Sequence, residues 1–197
     1  MLASHVKLLK PEFLTPRKMT LITADDACHM RSALDEAEVA AAMGEVPIGA
    51  VLVTGGLIVA RGHNERESRQ DPTAHSEMIA IRAAADASSS WRLVGSTLYV
   101  TMEPCAMCIG AVVLARVERV VFGVWDPKAG ACGSVLNIPE ERLNHRVQIV
   151  GGVLEQESRE LLQQFFKGLR EKNSALEVTV EPIPGKRARL GGRGVGG

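Results

Sequence analysis

The chain has 197 residues, 23 Lys plus Arg against 23 Asp plus Glu, a formal net charge of zero and 46% hydrophobic residues. That length allows one domain with a core large enough to need no disulfide staple, and the zero charge provides no global field for nucleic acid, so any such binding must rest on a local patch. Four irregularly spaced cysteines (Cys28, Cys105, Cys108, Cys132), an N-terminus without an apolar core and cleavage site, and no apolar run of 18 residues together predict a cytoplasmic protein with no membrane partner.

In chain order, residues 1–22 carry Lys7, Lys10, Arg17 and Lys18 against Glu12, with two prolines and no period. They read as a flexible N-terminal extension, with Met19 as an alternative start. Thr23 predicts an N-cap, and Ala27, Met30, Leu34, Ala37 and Ala41 recur at helical spacing until Gly44. Residues 48–54 and 57–63 flank Gly55 and Gly56 and predict an antiparallel hairpin. Asp71 and Pro72 read as the opening of a second helix through Ala74, Met78, Ile79, Ile81 and Ala85.

Residues 97–101 predict a third strand, followed by Glu103 and Pro104 and a helix from Cys105 to about Ala115. Residues 120–124 predict strand four, so that strand, helix and strand imply a parallel crossover. A fifth strand is expected at 147–153 and a terminal helix at 161–170. The fold class is α/β, a mixed sheet with helices on both faces. The folded domain is thereby bounded at 23–172, and 173–197 is a basic tail whose last 13 residues hold six glycines and four cations.

Cys105 and Cys108 stand three apart at a helix opening, where the helix dipole favours thiolate. Alone, this CxxC fits a redox dithiol and a zinc site equally well. His75, at another helix opening after a strand, tips the balance toward metal. Two thiolates and an imidazole make a three-ligand site with one open position, whereas a structural zinc would take four protein ligands. His5, His29, His63 and His145 are isolated and read as surface or packing residues. Glu77 has two readings, an acid complementing the helix dipole or a general base beside a metal-activated water. HSE (75–77) with PCAMC (104–108) is the HxE and PCxxC signature of zinc nucleobase deaminases.

With EVPIGAVLV (45–53), GHN (62–64), DPTAHSEM (71–78), LYVTMEPCAMCIGAVV (98–113), RVVFGVWDPKAGACGS (119–134), NHRV (144–147) and QQFFKGLR (163–170), the chain resembles the bacterial tRNA-specific adenosine deaminase family over roughly residues 27–171. HxE and PCxxC alone are shared with cytidine, guanine and riboflavin-pathway deaminases; the other stretches narrow the resemblance. It implies a three-layer α/β/α, cytidine deaminase-like fold around a central mixed five-stranded sheet. It further implies hydrolytic deamination of adenosine to inosine at the wobble position of a tRNA anticodon stem-loop, by a homodimer.

On the same resemblance, His75, Cys105 and Cys108 would bind one zinc ion per chain and Glu77 would be the catalytic proton shuttle. Asn64 would recognise the base, Pro47 and Ile48 would wall it, and Asp126 would lie near the target ribose. Phe165 and Phe166 would fall where the terminal helix meets the anticodon loop, although at least one of them reads rather as core. Trp125 and Cys132 depart from the family pattern near the pocket rim. The alternatives are a free nucleobase or nucleoside deaminase and a non-catalytic zinc-stabilised RNA-binding module. Glu77 argues against the module, and a redox role leaves His75 and Glu77 unexplained.

Overall fold

Thr23 opens α1 (Ala24–Ala42) through a capping box. Its hydroxyl accepts from Asp26 N at 3.2 Å, while Asp26 Oδ2 accepts from Thr23 N at 2.9 Å. The computed structural model describes residues 22–179; the extension through residue 21 and the tail from residue 180 lie outside the described residues. The buried stripe of α1 is Met30, Ala33, Ala37 and Ala40, so Leu34 and Ala41 of the expected stripe are only half-buried. The cause is close packing on the sheet, where a Cβ at Gly49 would lie 2.2 Å from Ala33 O and 2.3 Å from Ala37 N. Only a face of small residues comes that near.

Five strands form one sheet: β1 (Gly49–Thr54), β2 (Leu57–His63), β3 (Ser96–Met102), β4 (Arg119–Val124) and β5 (Gln148–Gly151). Their order is β2-β1-β3-β4-β5, with β1 antiparallel to β2 and β3, and β4 parallel to β3 and β5. The hairpin turns where it was expected, with Gly55 and Gly56 at φ 59° and 79°. β5 is shorter than expected because a 3₁₀ turn, Ile138–Glu140, and irregular chain lead into it.

Besides α1 the helices are α2 (Arg66–Arg69), α3 (Ser76–Ser88), α4 (Ala106–Leu114) and α5 (Glu155–Thr179). α3 and α4 cover one face, where Ala80, Ile81, Ala84, Ile109, Val112 and Val113 pack with Leu52, Leu98, Val100, Val120 and Phe122. α1 and α5 meet on the other face, above Val51, Val53, Tyr99, Val121 and Val150. This is the three-layer arrangement anticipated. Asp26, 1% exposed, joins the layers: it accepts from Arg119 Nη1 and Nη2 at 2.6 and 3.0 Å and from Tyr99 OH at 3.0 Å.

Three boundaries differ from expectation. α3 starts at Ser76, not at Asp71, because Asp71 Oδ1 accepts from Thr73 N and Thr73 Oγ1, both at 2.7 Å, and so closes a turn. The four-residue α2 precedes that turn and carries too little periodicity to be seen in the sequence. α5 begins at Glu155 and runs to Thr179, across the expected end of the domain at 172. Among the described residues no helix is long and apolar enough to cross a membrane.

Candidate active site

β2 and β3 each deliver the chain to a helix opening on the same face of the sheet. α3 reaches its place because Gly62 on β2 has no side chain, since a Cβ there would lie 2.5 Å from Ser76 O and 2.8 Å from Ala80 N. α4 is held from the other side, where Ala131 N donates to Pro104 O at 2.9 Å and Cys105 pairs with Gly130 in an antiparallel bridge. His75 is the N-cap of α3 and Cys105 the N-cap of α4, both extended, so each stands one position before the first turn expected for it. Neither makes a side-chain cap bond to its own helix.

Instead they face each other. His75 Nδ1 lies 3.8 Å from Cys105 Sγ and 3.6 Å from Cys108 Sγ, and the two sulfurs are 3.6 Å apart. Ligand atoms around a tetrahedral zinc ion, at about 2.3 Å for sulfur and 2.0 Å for nitrogen, are separated by about 3.5–3.8 Å. His75, Cys105 and Cys108 are therefore a group that could hold a metal ion, in spacing and donor chemistry alike. The hydrogen bond between the two thiols, with help from His75, holds the Cys105 thiol down to about 3 against the opposing effect of burial. That same hydrogen bond and burial, with Glu77 nearby, push Cys108 well above the thiol range. Metal binding takes thiolates, so a metal ion at this position would displace thiol protons. The His75 imidazole is held above its ordinary value by its hydrogen bond to Cys105, against burial.

Glu77 follows in the first turn of α3, 4% exposed, with Ser76 Oγ donating to its Oε2 at 2.9 Å. Burial raises its pKa, more than the attraction of His75 and the local hydrogen bonds lower it. A buried carboxyl beside a candidate metal position is placed for general acid–base work. Cys132 is also buried, and its thiol is pushed up by burial and then by the charges of Glu103, Glu77 and Cys105.

The other expected residues come from several loops and from α5. Pro47 is buried and Ile48 half-buried, and Ile48 O accepts from Asn64 N at 2.9 Å. Asn64, 4% exposed, donates from Nδ2 to Glu45 Oε2 at 3.4 Å. Asp126 is half-buried, with Oδ1 accepting from Lys128 N at 2.9 Å. Phe165 is half-buried and Phe166 43% exposed, edge to face at 5.5 Å. Phe166 lines a groove of about 450 Å³ with Trp125, Lys128, Arg159 and Arg170, away from the three ligand atoms. Trp125 meets Phe122 edge to face at 4.6 Å, which fixes its ring as the groove wall. A second groove, between α1 and α5, is lined by Asp35, Glu38, Glu157 and Glu160 with Arg31 and repels phosphate.

Two buried acids of this region carried no role in the sequence. Glu103, 3% exposed, accepts from Asp126 N at 3.0 Å, Cys132 N at 2.9 Å, Ser134 N at 3.1 Å and the Ser134 hydroxyl, and so folds the 126–134 loop over the cysteines. Glu45, 1% exposed, does the same for the loop after β2. Each stands one or two residues before a proline, in EVP and EP, a local signal too common to read as function.

A family model described as MafB19-like deaminase matches residues 24–170. The chain is 54% identical over 151 residues to the tRNA-specific adenosine deaminase of Bacillus subtilis (strain 168), an overlap of 76% of this chain and 94% of that protein. It is similar, at 43% identity and a TM-score of 0.67, to a chain solved in studies of A-to-I editing by tRNA:A34 deaminases at the wobble position of transfer RNA, covering 68% of this chain and 99% of that one. It also shares a fold, at 22% identity and a TM-score of 0.62, with guanine deaminase from Nitrosomonas europaea, covering 83% of this chain and 96% of that one.

Proposed function

The chain belongs to the tRNA-specific adenosine deaminase family, and from that premise we propose that it converts adenosine to inosine by hydrolysis at the wobble position of a tRNA anticodon. The observation that carries the reading is the meeting of His75, Cys105 and Cys108 at two helix openings with the buried carboxyl of Glu77 beside them. Relatives named for tRNA, one of them at 54% identity, support the substrate class. These three residues would hold one zinc ion per chain. When bound, zinc would supply Lewis-acid chemistry, bringing the pKa of a water molecule to about 7.

Glu77 takes the proton of the attacking water and returns it to N1 of the purine. It then transfers the second proton to the departing amino group, so that adenosine and water give inosine and ammonia. Burial suits it to both steps. Asn64 reads the base edge through its amide, while Pro47 and Ile48 wall the ring. Asp126 keeps an oxygen for the ribose 2′-OH. Phe166 and Trp125 offer stacking faces, and Lys128, Arg159 and Arg170 offer charge for the anticodon loop; Phe165, half-buried, is the packing partner of Phe166. This local cluster answers the zero net charge.

A homodimer in the cytoplasm is part of the same proposal. The exposed apolar side chains of Leu114, Val94, Trp91 and Val135 would support self-association, which light scattering would detect.

The decisive test is incubation of the purified protein with an anticodon stem-loop bearing adenosine at the wobble position, followed by nucleoside analysis and metal analysis. The expected result is inosine at that position, none from free adenosine, and about one zinc per chain. Inosine from free adenosine, or xanthine from guanine, would instead make this a free-base or nucleoside deaminase.

A further inference from the structure

Glu45 is a buried acid that the reaction itself does not use. α1 ends on Gly44 at φ 80°, with Gly44 N donating to Ala41 O and Glu45 N to Ala40 O, both at 3.0 Å. This helix stop fixes Glu45 just beyond α1. Its side chain runs under α2, where Oε1 accepts from Ser68 N at 2.7 Å and Oε2 from Glu67 N at 3.2 Å. The N-cap of α2, Glu65, makes no side-chain cap bond, so Glu45 caps that helix from across the hairpin. Burial alone would raise the pKa of Glu45, but the backbone hydrogen bonds from Ser68 and Glu67, and the charge of Arg66, hold it below the ordinary value. It is an anion at neutral pH.

The remaining donor to Oε2 is Asn64 Nδ2, at 3.4 Å. A carboxylate only accepts hydrogen bonds, so it can face the nitrogen of the amide and never the oxygen. Asn64 N is bound to Ile48 O at 2.9 Å, which fixes the main chain as well. Asn64 Oδ1 then turns away from Glu45, and it takes no hydrogen bond from the described residues.

We propose that Glu45 is a positioning residue that locks the Asn64 amide with Oδ1 as the acceptor presented to the substrate base, so that a base edge offering an N–H donor is selected. The inference rests on the reading of Asn64 as the base-recognition residue. A neutral side chain at position 45 offers Asn64 either a donor or an acceptor, which frees the amide to flip and to present donors alone.

The test is a double-mutant cycle of Glu45→Gln and Asn64→Ala, assayed on the wobble-adenosine stem-loop with zinc content and thermal melting measured for each variant. Glu45→Gln is expected to lower kcat/KM about tenfold, mostly through KM, with zinc retained. In the Asn64→Ala background the same change is expected to cost less than about twofold, because the residue it acts through is gone. Additive effects, or a fully active Glu45→Gln, overturn the proposal. If Glu45→Gln does not fold, Glu45→Asp, whose carboxylate stands one methylene further from Asn64 Nδ2, carries the cycle: a loss that disappears in the Asn64→Ala background supports the proposal, and a loss that persists there overturns it. No inosine from the wild type would sink the proposed function itself; an active wild type with a fully active Asn64→Ala would sink only the Glu45–Asn64 link.

Discussion

The opening of α1 and the openings of α3 and α4 use the same backbone geometry for opposite purposes. At α1, Thr23 and Asp26 satisfy each other, and Asp26 also binds Arg119 and Tyr99. At α3 and α4 the cap positions hold His75 and Cys105, which leave their own helices uncapped and face one another. A forgone side-chain cap costs about 1 kcal/mol. The apolar faces of α3 and α4, buried through Ala80, Ile81, Ala84, Ile109, Val112 and Val113, offset it. Stabilising pairs are concentrated at one helix opening and the candidate active site at two others, and mutations at the two kinds of opening should separate accordingly.

The largest effect is expected at Glu77. Glu77→Ala should reduce inosine formation by about 10³-fold or more while zinc content and melting temperature stay near the wild type. An active variant would make Glu77 only an acid that complements the α3 dipole, and the contrast between the openings would fail on the chemical side.

Asp26 tests the other side. Asp26→Asn keeps the shape but leaves Arg119 facing a neutral amide, which should cost about 3 kcal/mol of unfolding free energy and leave turnover per folded molecule unchanged. Burial alone would raise the Asp26 pKa, but the hydrogen bonds from Arg119, Thr23 and Tyr99 outweigh it and hold the carboxyl far below the usual range. A group whose folded pKa is depressed contributes stability that is complete above its unfolded value, about 3.9, and lost as pH falls through the folded value. Denaturant melts should therefore show a large gap between wild type and Asp26→Asn at pH 7 and a shrinking gap below about pH 4. A gap independent of pH would mean that packing, not charge, anchors α1.

What the sequence disclosed follows the same division. The hairpin was legible because Gly55 and Gly56 interrupt two β-rich runs, and the group that could hold a metal ion because Cys105 and Cys108 are local neighbours beside a proline. The start of α3 was misplaced because Asp71 has two local uses, capping a helix or closing a turn with Thr73, and only tertiary packing selects the turn. α5 was underestimated because its first and last turns lack an apolar stripe continuous with residues 161–170. Glu45 and Glu103 were opaque for a different reason. Their partners lie 19–23 and 23–31 residues away, and no spacing rule connects an acid to backbone N–H groups at such separations.

The smallest effect is expected at the third kind of opening, that of α5, where Ser158 sits in the first turns. Its hydroxyl is buried without a hydrogen-bond partner among the described residues, unlike any polar atom of the Asp26 network. It lies against β4, so that a Cβ at Gly123 would be 2.4 Å from Ser158 Oγ. Removing the hydroxyl removes a desolvated group that gains nothing in return, so Ser158→Ala should raise stability by about 0.5–1 kcal/mol in a urea titration and leave activity unchanged. Gly123→Ala should destabilise, and Ser158→Ala should not rescue it, because Thr101 O at 2.5 Å and Ser158 Cβ at 3.1 Å would still meet the added methyl. If Ser158→Ala instead costs more than about 1 kcal/mol, the hydroxyl finds a partner in solution. The α5 opening would then join α1 as a paired, stabilising cap region rather than stand as a place where close packing on Gly123 overrides hydrogen bonding.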